Sequence, residues 1–440
     1  MSLHASGPGF ARHLRECPGC GLFQTVPPLP PSAQASCVRC NTTLQRTHVD
    51  SSNRALALAI ASLAFYFVAV FAPFLSVDIF GQQRQTTMIS LPSAFLADGA
   101  WELAILVVIT TVVLPLAKIG VVILVLLGLR LPNPPRILPR IFGLYEIIGP
   151  WAMIEVFLLG VFVAFTRLGA IATVQIGVAL YAVGMLMMTM VATDFVLDRD
   201  AVWETMEQRG LVPPTAPMGT GPLIGCDTCG RVSQSAPGSA CSRCGASLRV
   251  RRPNSIVRSW ACLLAAMMLY LPANLYPVLT LVRLDQDDPS TILGGAQELL
   301  EAGMWPLALL VFVASVAVPL LKIISLIVML VTTQRGSAWG LRDRTRLYRI
   351  VEFIGRWSMI DVFMLATLAG LVRAGQIASI TPGLGAICFA SVVVLTMIAA
   401  VCFDPRLMWD AAGERASTAA IGFVTDHERR PSAPAKPKAA

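Results

Sequence analysis

Long apolar runs recur along this chain and restrict the kind of fold it can adopt. Two of them extend from Leu103 to Leu129 and from Ala308 to Val331, and about eight are present in all. Runs above about 18 apolar residues are typical of membrane-spanning helices. Charged residues make up only 14% of the 440 residues, against about a quarter in soluble domains. The sequence therefore predicts an α-helical polytopic membrane protein with eight transmembrane helices.

The sequence also contains an internal repeat. Residues up to Lys118 match residues 204 positions later, and residues from Glu146 onward match residues 206 positions later. The matched pairs include Cys37 and Cys241, Pro115 and Pro319, Lys118 and Lys322, Glu146 and Glu352, Trp151 and Trp357, Glu155 and Asp361, and Trp203 and Trp409. Chance does not produce this many matched Trp, Pro and charged residues in order, so two tandem modules are predicted.

Each predicted module is a cysteine-bearing polar segment followed by four spans. The first module has a ribbon at residues 1–54 and a membrane domain at 55–197. The second has a linker and ribbon at 198–254 and a membrane domain at 255–410. Residues 411–440 are predicted to be a disordered cytosolic tail by composition. The predicted spans lie at about 55–77, 101–129, 147–165, 171–197, 256–281, 303–331, 353–372 and 380–403.

Loop charges predict the orientation of the spans. The loops after the second span of each module are rich in arginine, whereas the loop after the first span of the second module is acidic. The arginines are Arg130, Arg136 and Arg140 in one module and Arg335, Arg342, Arg344, Arg346 and Arg349 in the other. Because cytosolic loops carry the excess of basic residues, both ribbons and both termini are predicted to be cytosolic. Other arginines flank the ribbons and sit next to spans, so anionic lipid is their plainer partner and nucleic acid is not expected. They are Arg39, Arg46, Arg54, Arg243, Arg249, Arg251 and Arg252.

Eight of the eleven cysteines form four C-x-x-C pairs. The two sets are Cys17, Cys20, Cys37 and Cys40, and Cys226, Cys229, Cys241 and Cys244. Two such pairs can supply four thiolates in tetrahedral geometry, which suits structural zinc. Iron in a rubredoxin-like site is the next choice, and disulfides are least expected on a cytosolic face. Four sulfur ligands leave no open coordination position, so the predicted metal is not catalytic.

Charged residues inside predicted spans are the candidate transport residues. Lys118 lies roughly 18 Å from Arg130 at the cytosolic end of its span, and Glu155 lies roughly 13 Å from Glu146 in the next span. Similar depths predict the ion pairs Lys118–Glu155 and, in the repeat, Lys322–Asp361. Each pair could be a buried structural contact, a proton relay, or a polar contact for a lipid headgroup or ion.

Asn274 is the one amide deep in an early span. Its side chain could line a cavity, or it could satisfy a backbone carbonyl that a neighbouring proline leaves free.

These motifs resemble the paraquat-inducible protein A family. The resemblance rests on the paired ribbons and on five segments of the spans. They are Pro115-Leu-Ala-Lys118, Trp151-Ala-Met-Ile-Glu155-Val-Phe157, Tyr270-Leu-Pro-Ala-Asn274-Leu-Tyr-Pro277, Pro319-Leu-Leu-Lys322 and Trp357-Ser-Met-Ile-Asp361-Val-Phe363. It implies a bacterial inner-membrane protein that works with a periplasmic MCE-domain protein. It also implies phospholipid trafficking between membranes, with this chain loading or receiving lipid at the inner membrane.

Two other functional classes compete with lipid transport. A membrane redox or stress sensor would use the cysteine–metal ribbons, with thiolates that release metal on oxidation. Closed four-sulfur sites argue against that as the main function. An intramembrane enzyme would need a nucleophile and a base placed together, and the sequence contains no such set, so the chain is expected not to be an enzyme.

Overall fold

The computed structural model describes residues 14–79, 82–97, 99–169, 173–214, 221–283, 286–301, 303–371 and 378–413. The tail predicted at 411–440 therefore lies almost entirely outside the described residues. The structure is mostly helical. Within the described ranges, eight helical segments are long and apolar enough to cross a membrane, as expected for a multi-pass membrane protein.

The chain begins with short hairpins that carry the first cysteine set. We call residues 14–46 ribbon 1. Its strands are β1 (Leu14–Glu16), β2 (Phe23–Thr25), β3 (Gln34–Ser36) and β4 (Thr43–Arg46). β1 pairs with β2 and β3 pairs with β4, both antiparallel, so each hairpin presents one cysteine pair at its turn.

The first half of the chain, residues 51–208, follows ribbon 1. Its helices are α1 (Ser51–Phe71), α2 (Ser90–Ala97), α3 (Trp101–Gly128), α4 (Leu138–Ile148), α5 (Ile154–Gly169), α6 (Val178–Val196) and α7 (Arg199–Gln208). Its strands are β5 (Leu75–Ile79), β6 (Gln82–Thr86) and β7 (Thr173–Ile176). Ribbon 2, residues 223–248, comes next with β8 (Leu223–Gly225) and β9 (Val232–Gln234).

The second half, residues 255–411, has the same order of elements as the first. Its helices are α8 (Ser255–Leu275), α9 (Ile292–Glu301), α10 (Trp305–Phe312, Val313–Ala317 and Val318–Gln334), α11 (Leu341–Gly355), α12 (Ile360–Leu371), α13 (Leu384–Cys402) and α14 (Arg406–Ala411). Its strands are β10 (Leu279–Arg283), β11 (Gln286–Ser290) and β12 (Ala378–Pro382).

A small antiparallel sheet lies at the end of each half that is opposite the ribbons. Its strand order is β6-β5-β7 in the first half and β11-β10-β12 in the second. In each half the last strand leads directly into the fourth span through a glycine, Gly177 or Gly383. A side chain would not fit there, since an added Cβ would lie 2.1 Å from Pro73 O at Gly177 and 2.2 Å from Pro277 O at Gly383. The fourth spans therefore begin at Val178 and Leu384, later than predicted for the first half, because residues before them form strands.

The third span of each half is broken. In the first half, α4 ends at Ile148, a 3₁₀ turn covers Gly149–Trp151, and α5 begins at Ile154. Pro150 lies in that turn and cannot donate the hydrogen bond that a continuous helix needs. In the second half a 3₁₀ turn covers Arg356–Met359. The break changes the direction of the side chains that follow it.

The two halves meet along their third spans. The rings of the repeat-equivalent residues Phe157 and Phe363 contact each other, with centroids 5.7 Å apart. Gly160 allows α5 to approach α12 closely, since a Cβ there would lie 2.9 Å from Ile360 O and 2.8 Å from the Phe363 Cβ. Phe157 and Phe363 both belong to the apolar cluster that contains most of the buried residues of the spans described here.

The cysteines of each ribbon pack against the half that belongs to the other predicted module. Ribbon 1 precedes the first half in sequence, but its cysteines pack with the second half, including Tyr348, Met408 and Trp409. Ribbon 2 packs with the first half, including Phe142 and Trp203. Two repeat-equivalent contacts mark this exchange. Arg39 lies over the ring of Trp409 at 4.3 Å, and Arg243 lies over the ring of Trp203 at 5.5 Å.

Candidate functional site

The eight paired cysteines form two closed clusters. In ribbon 1, Sγ of Cys17 lies 3.4 Å from Sγ of Cys40, and Sγ of Cys20 lies 3.6 Å from Sγ of Cys37. In ribbon 2 the corresponding distances are 3.5 Å for Cys226 and Cys244 and 3.7 Å for Cys229 and Cys241. All eight are buried and none forms a disulfide. The sequence prediction that each set comes together is therefore matched by the geometry.

These distances fit a tetrahedral metal site. A zinc–sulfur distance of about 2.3 Å implies sulfurs about 3.8 Å apart at the corners of a tetrahedron. Within each set the four sulfur atoms lie within 4.8 Å of one another. Each set could therefore hold one metal ion with no ligand position left open.

Left-handed residues close the cysteine turns. Gly21, Gly230 and Gly245 each follow the second cysteine of a pair, with φ of 70°, 70° and 79°. Asn41 takes that place after Cys40, with φ of 59°. Glycine adopts this region without strain and asparagine tolerates it, so the sequence after each pair allows the turn.

Lys118 pairs with a residue that the sequence analysis did not select. Lys118 Nζ lies 2.5 Å from Asp194 Oδ2, and the Tyr145 hydroxyl donates to Asp194 Oδ1 at 2.6 Å. The predicted partner Glu155 forms no ion pair among the described residues. That prediction is wrong because it counted helical rise from Glu146 through a continuous span, whereas the 3₁₀ turn at Gly149–Trp151 interrupts the helix.

The repeat-equivalent lysine has a different environment. Asp194 corresponds to Ala400, so the second half offers no carboxylate at that place. Lys322 is 3% exposed, and its Nζ has no hydrogen-bond partner in the described part of the chain. The predicted Lys322–Asp361 ion pair is therefore not formed. Asp361 is buried in α12, and the Lys322 ammonium packs instead against Gly355, where a Cβ would lie 2.8 Å from it.

Asn274 satisfies a backbone group in its own helix. Its Nδ2 donates to Tyr270 O, one turn earlier, at 2.8 Å. Of the two roles considered for this amide, this contact favours the backbone one.

A cleft of about 400 Å³ separates the two halves, and both lysines line it. We call it the central cleft. Five cationic and four acidic side chains line its wall. They are Lys118, Arg199, Lys322, Arg349, Arg356, Glu146, Glu155, Asp194 and Glu352. The wall also has an apolar part that includes Ala152, Phe353 and Met397. A cavity of this size with mixed polar and apolar walls is typical of a small-molecule site.

The central cleft adjoins a second cleft between the ribbons. This second cleft has a volume of about 370 Å³ and shares Glu146, Arg199 and Glu352 with the first. Arg199 donates to Glu146 at 2.6 Å, so an ion pair stands where the two clefts meet. The central cleft thus lies on the ribbon side of the molecule's interior, next to the second cleft.

Glu16 joins the two ribbons at the wall of the second cleft. It accepts hydrogen bonds from Arg251 at 3.2 Å, from Arg406 at 3.1 Å and from the amide of Gly225 at 2.9 Å. Burial raises the pKa of Glu16, although Arg406 and Arg251 oppose that shift. Arg406 also pairs with Asp227 of ribbon 2 at 2.9 Å, so the end of the second half contacts both ribbons.

Several residues of the central cleft were missed from the sequence. Asp194 is a charge inside an apolar span, the same signal that identified Lys118, and that signal could have found it. Arg199 and Arg356 lie in or beside helix ends and carry no such signal, since basic residues are common there.

Comparisons with known proteins agree with this architecture. The family model described as paraquat-inducible protein A matches residues 52–207 and again residues 256–413. Intermembrane transport protein PqiA of Escherichia coli K12 is 33% identical over 92% of this chain and 97% of its own length.

Two further relatives are more distant. Lipophilic envelope-spanning tunnel protein A of E. coli K12 is 29% identical over 90% of this chain and 91% of its own length. A probable intermembrane transport protein of Haemophilus influenzae is 26% identical over 90% of this chain and 95% of its own length. No solved structure shows significant similarity to the chain.

Proposed function

Since the chain belongs to the paraquat-inducible protein A family, we propose that it is an inner-membrane component of an intermembrane phospholipid transport system. In this proposal it is not an enzyme. It loads phospholipid onto a periplasmic MCE-domain protein, or receives phospholipid from one. The names of its relatives, which describe intermembrane transport and an envelope-spanning tunnel, support a role in moving material between membranes.

The central cleft is the observation that carries this proposal. It lies between the two halves, and its wall combines charged side chains with apolar ones. A phospholipid needs both, because its headgroup carries a phosphate and its acyl chains are apolar. The cleft would hold the headgroup, while the acyl chains stay between the helices and the surrounding bilayer.

Lys322 is the residue best placed to contact a lipid phosphate. Its ammonium lines the cleft and has no hydrogen-bond partner in the described residues. A buried lysine without a counter-charge is costly in a membrane, and an anionic headgroup would supply one. Lys118 already has Asp194, so the two halves would contribute unequally to lipid binding.

The proposed topology places the ribbons in the cytosol and the small sheets in the periplasm. The arginine-rich loops lie on the ribbon side, which supports this orientation. The repeated order of elements supports two duplicated modules, with domains at 1–54, 55–197, 198–254, 255–410 and a tail at 411–440. The sheets would then face the periplasmic partner.

We propose zinc for both cysteine clusters. Zinc would supply folding free energy to ribbons that have few apolar residues of their own. The eight thiols are between 0% and 7% exposed, which disfavours a sensor whose cysteines must meet an oxidant.

A lipid-transfer experiment tests the proposed function. Full-length chain is reconstituted in liposomes with a fluorescent phospholipid, and transfer to the purified MCE-domain partner is measured. We expect Lys322→Met to lower the transfer rate about tenfold, which corresponds to about 1.4 kcal/mol.

Arg335→Gln is the matched control. It removes one positive charge at the end of the same helix, outside the cleft, and should leave transfer unchanged. Equal rates for wild type and Lys322→Met would contradict the role of the cleft. A chain that carries redox-labile iron and no lipid would favour the sensor.

A further inference from the structure

A third cavity, of about 240 Å³, lies where ribbon 1 meets helix α11. We call it the arginine pocket. One wall is the second cysteine turn of ribbon 1, with Arg39, and the other is the part of α11 between Arg342 and Arg349. Arg342, Arg346 and Arg349 line that helical wall, together with Asp343. Four guanidinium groups and one carboxylate therefore surround a space large enough for a small anion.

Helix geometry explains why the three arginines of α11 act together. They are spaced by four and three residues, so they lie on one face of the helix. Arg39 approaches from the opposite wall, where its guanidinium stacks on the ring of Trp409 at 4.3 Å. This stacking limits the movement of Arg39 and directs it at the same space.

The helical wall of the pocket carries three positive charges close together. Arg342, Arg346 and Arg349 form no ion pair within the described residues, and Nε of Arg349 is buried without a hydrogen-bond partner. Arg342 also lies in the first turn of α11, where the helix dipole disfavours cations. Like charges at neighbouring positions repel one another. An anion in the pocket would relieve all of these costs.

The repeat-equivalent place in the first half is built differently. Arg136, Arg140 and Arg243 correspond to Arg342, Arg346 and Arg39, but Gly143 stands in place of Arg349. There Glu207 lies 3.7 Å from Arg243 and supplies a carboxylate from the chain itself. The first half thus places a carboxylate of its own beside this site, whereas Gly413 corresponds to Glu207 in the second half.

We propose that the arginine pocket binds a phosphate group, with guanidinium groups of Arg342, Arg346 and Arg349 as donors. Guanidinium groups bind phosphate oxygens in pairs of parallel hydrogen bonds. The phosphate can come from an anionic phospholipid headgroup at the membrane surface or from free phosphate in solution. Arg349 also lines the central cleft, so the bound phosphate lies beside it. Binding to purified protein does not depend on whether the chain transports lipid.

The test compares two double variants that remove the same charge at equivalent places. The full chain, purified in a nonionic detergent, is titrated with short-chain phosphatidylglycerol or with inorganic phosphate, and bound ligand is measured by native mass spectrometry. Arg342→Gln with Arg346→Gln should raise the apparent Kd for phosphatidylglycerol about tenfold or more. Arg136→Gln with Arg140→Gln should change it less than about twofold.

Further arms identify the source and control for folding. If inorganic phosphate binds and displaces phosphatidylglycerol, the site takes a free anion. If phosphatidylglycerol binds and inorganic phosphate does not displace it, the site takes a lipid headgroup. Arg342→Lys with Arg346→Lys keeps the charge and should give an intermediate Kd. Two metal ions per chain in every variant would show that the ribbons remain folded. Equal weakening by both Gln double variants, or none by either, overturns the proposal.

Discussion

At the scale of single residues, one difference separates the two intramembrane lysines. Asp194 holds Lys118 and also accepts from Tyr145, whereas the equivalent Ala400 leaves Lys322 without an acidic neighbour from that helix. Both lysines could be identified from sequence, because a charge within an apolar run is rare. The same signal marks Asp194, but it does not show whether Asp194 or Glu155 pairs with Lys118, because that choice depends on how a broken helix directs Glu155.

The first prediction concerns the Lys118–Asp194 contact. Asp194→Asn removes the charge that compensates the Lys118 ammonium, and we expect a loss of about 1.5–3 kcal/mol of stability. Thermal unfolding in detergent measures this loss. Glu155→Gln is the control and should cost less than about 0.5 kcal/mol. A larger loss for Glu155→Gln than for Asp194→Asn would restore the partner first expected from the sequence.

The second prediction uses two equivalent aspartates outside the spans. Burial raises the pKa of Asp404, but the hydrogen bonds and charge of Arg406 outweigh it and leave the pKa below its ordinary value. Asp404 therefore stabilises the fold while ionised, and this stability is lost as the pH falls from about 4 through the lowered native pKa. Burial raises the pKa of Asp198 above its ordinary value, so protonation of Asp198 at low pH favours the fold.

The two variants should therefore change the acid response in opposite directions. Between about pH 6 and pH 3, Asp404→Asn should reduce the fall in Tm and Asp198→Asn should increase it. Protonation of the metal-binding thiols lowers Tm in both variants alike, so the difference between them isolates the aspartates. Parallel curves for the two variants would refute the assigned pKa directions.

At the scale of elements, the second spans contain matched irregular turns. Residues Val108–Val113 and Val313–Ala317 are π-helical, just before Pro115 and Pro319. Proline removes a backbone donor from the helix, and a tyrosine of the first span donates to a carbonyl of the same irregular turn. The Tyr66 hydroxyl donates to Val112 O at 2.9 Å, and that of Tyr270 donates to Val316 O at 3.3 Å.

The third prediction tests these tyrosines. Tyr66→Phe and Tyr270→Phe each leave a buried carbonyl without its donor, and Tyr66→Phe should cost about 1 kcal/mol of stability. Tyr270→Phe should cost less because its hydrogen bond is longer. Tyr181, which is 68% exposed on the fourth span, provides the control Tyr181→Phe. Unfolding temperatures that are equal for all three variants would show that the hydroxyls do not support the π-helical turns.

Sequence patterns predicted these elements unevenly. Long apolar runs located all eight spans, because length and hydropathy suffice for that. They did not predict the sheets, since strands such as β7 (Thr173–Ile176) are short and run directly into a span. Proline marked the irregular second spans, but the partners of the freed carbonyls depend on packing between helices.

At the scale of the whole molecule, the exchange of ribbons links the two halves. Ribbon 1 packs on the second half and ribbon 2 on the first, and Glu16 joins the ribbons to each other. The repeat predicted two similar units, but no sequence pattern shows which ribbon covers which half. That choice depends on contacts between residues far apart in the chain, such as Arg39 with Trp409.

The last prediction follows from this exchange. Removing metal ligands from one ribbon should loosen the half on which that ribbon packs. The half in the same predicted module should be unaffected. Cys17→Ser with Cys20→Ser should therefore speed hydrogen exchange in Leu341–Gly355 and Arg406–Ala411. Cys226→Ser with Cys229→Ser should speed it in Leu138–Ile148 and Arg199–Gln208.

Hydrogen exchange with mass spectrometry resolves these segments, and each double variant is the control for the other. The metal content of each variant should fall from two ions per chain to one, because each set of four cysteines can hold one metal ion. Faster exchange in the half assigned by sequence order would mean that the ribbons cover the modules in which they are encoded. Since the buried contacts of Trp409 and Trp203 lie on opposite halves, the two patterns of exchange cannot be confused.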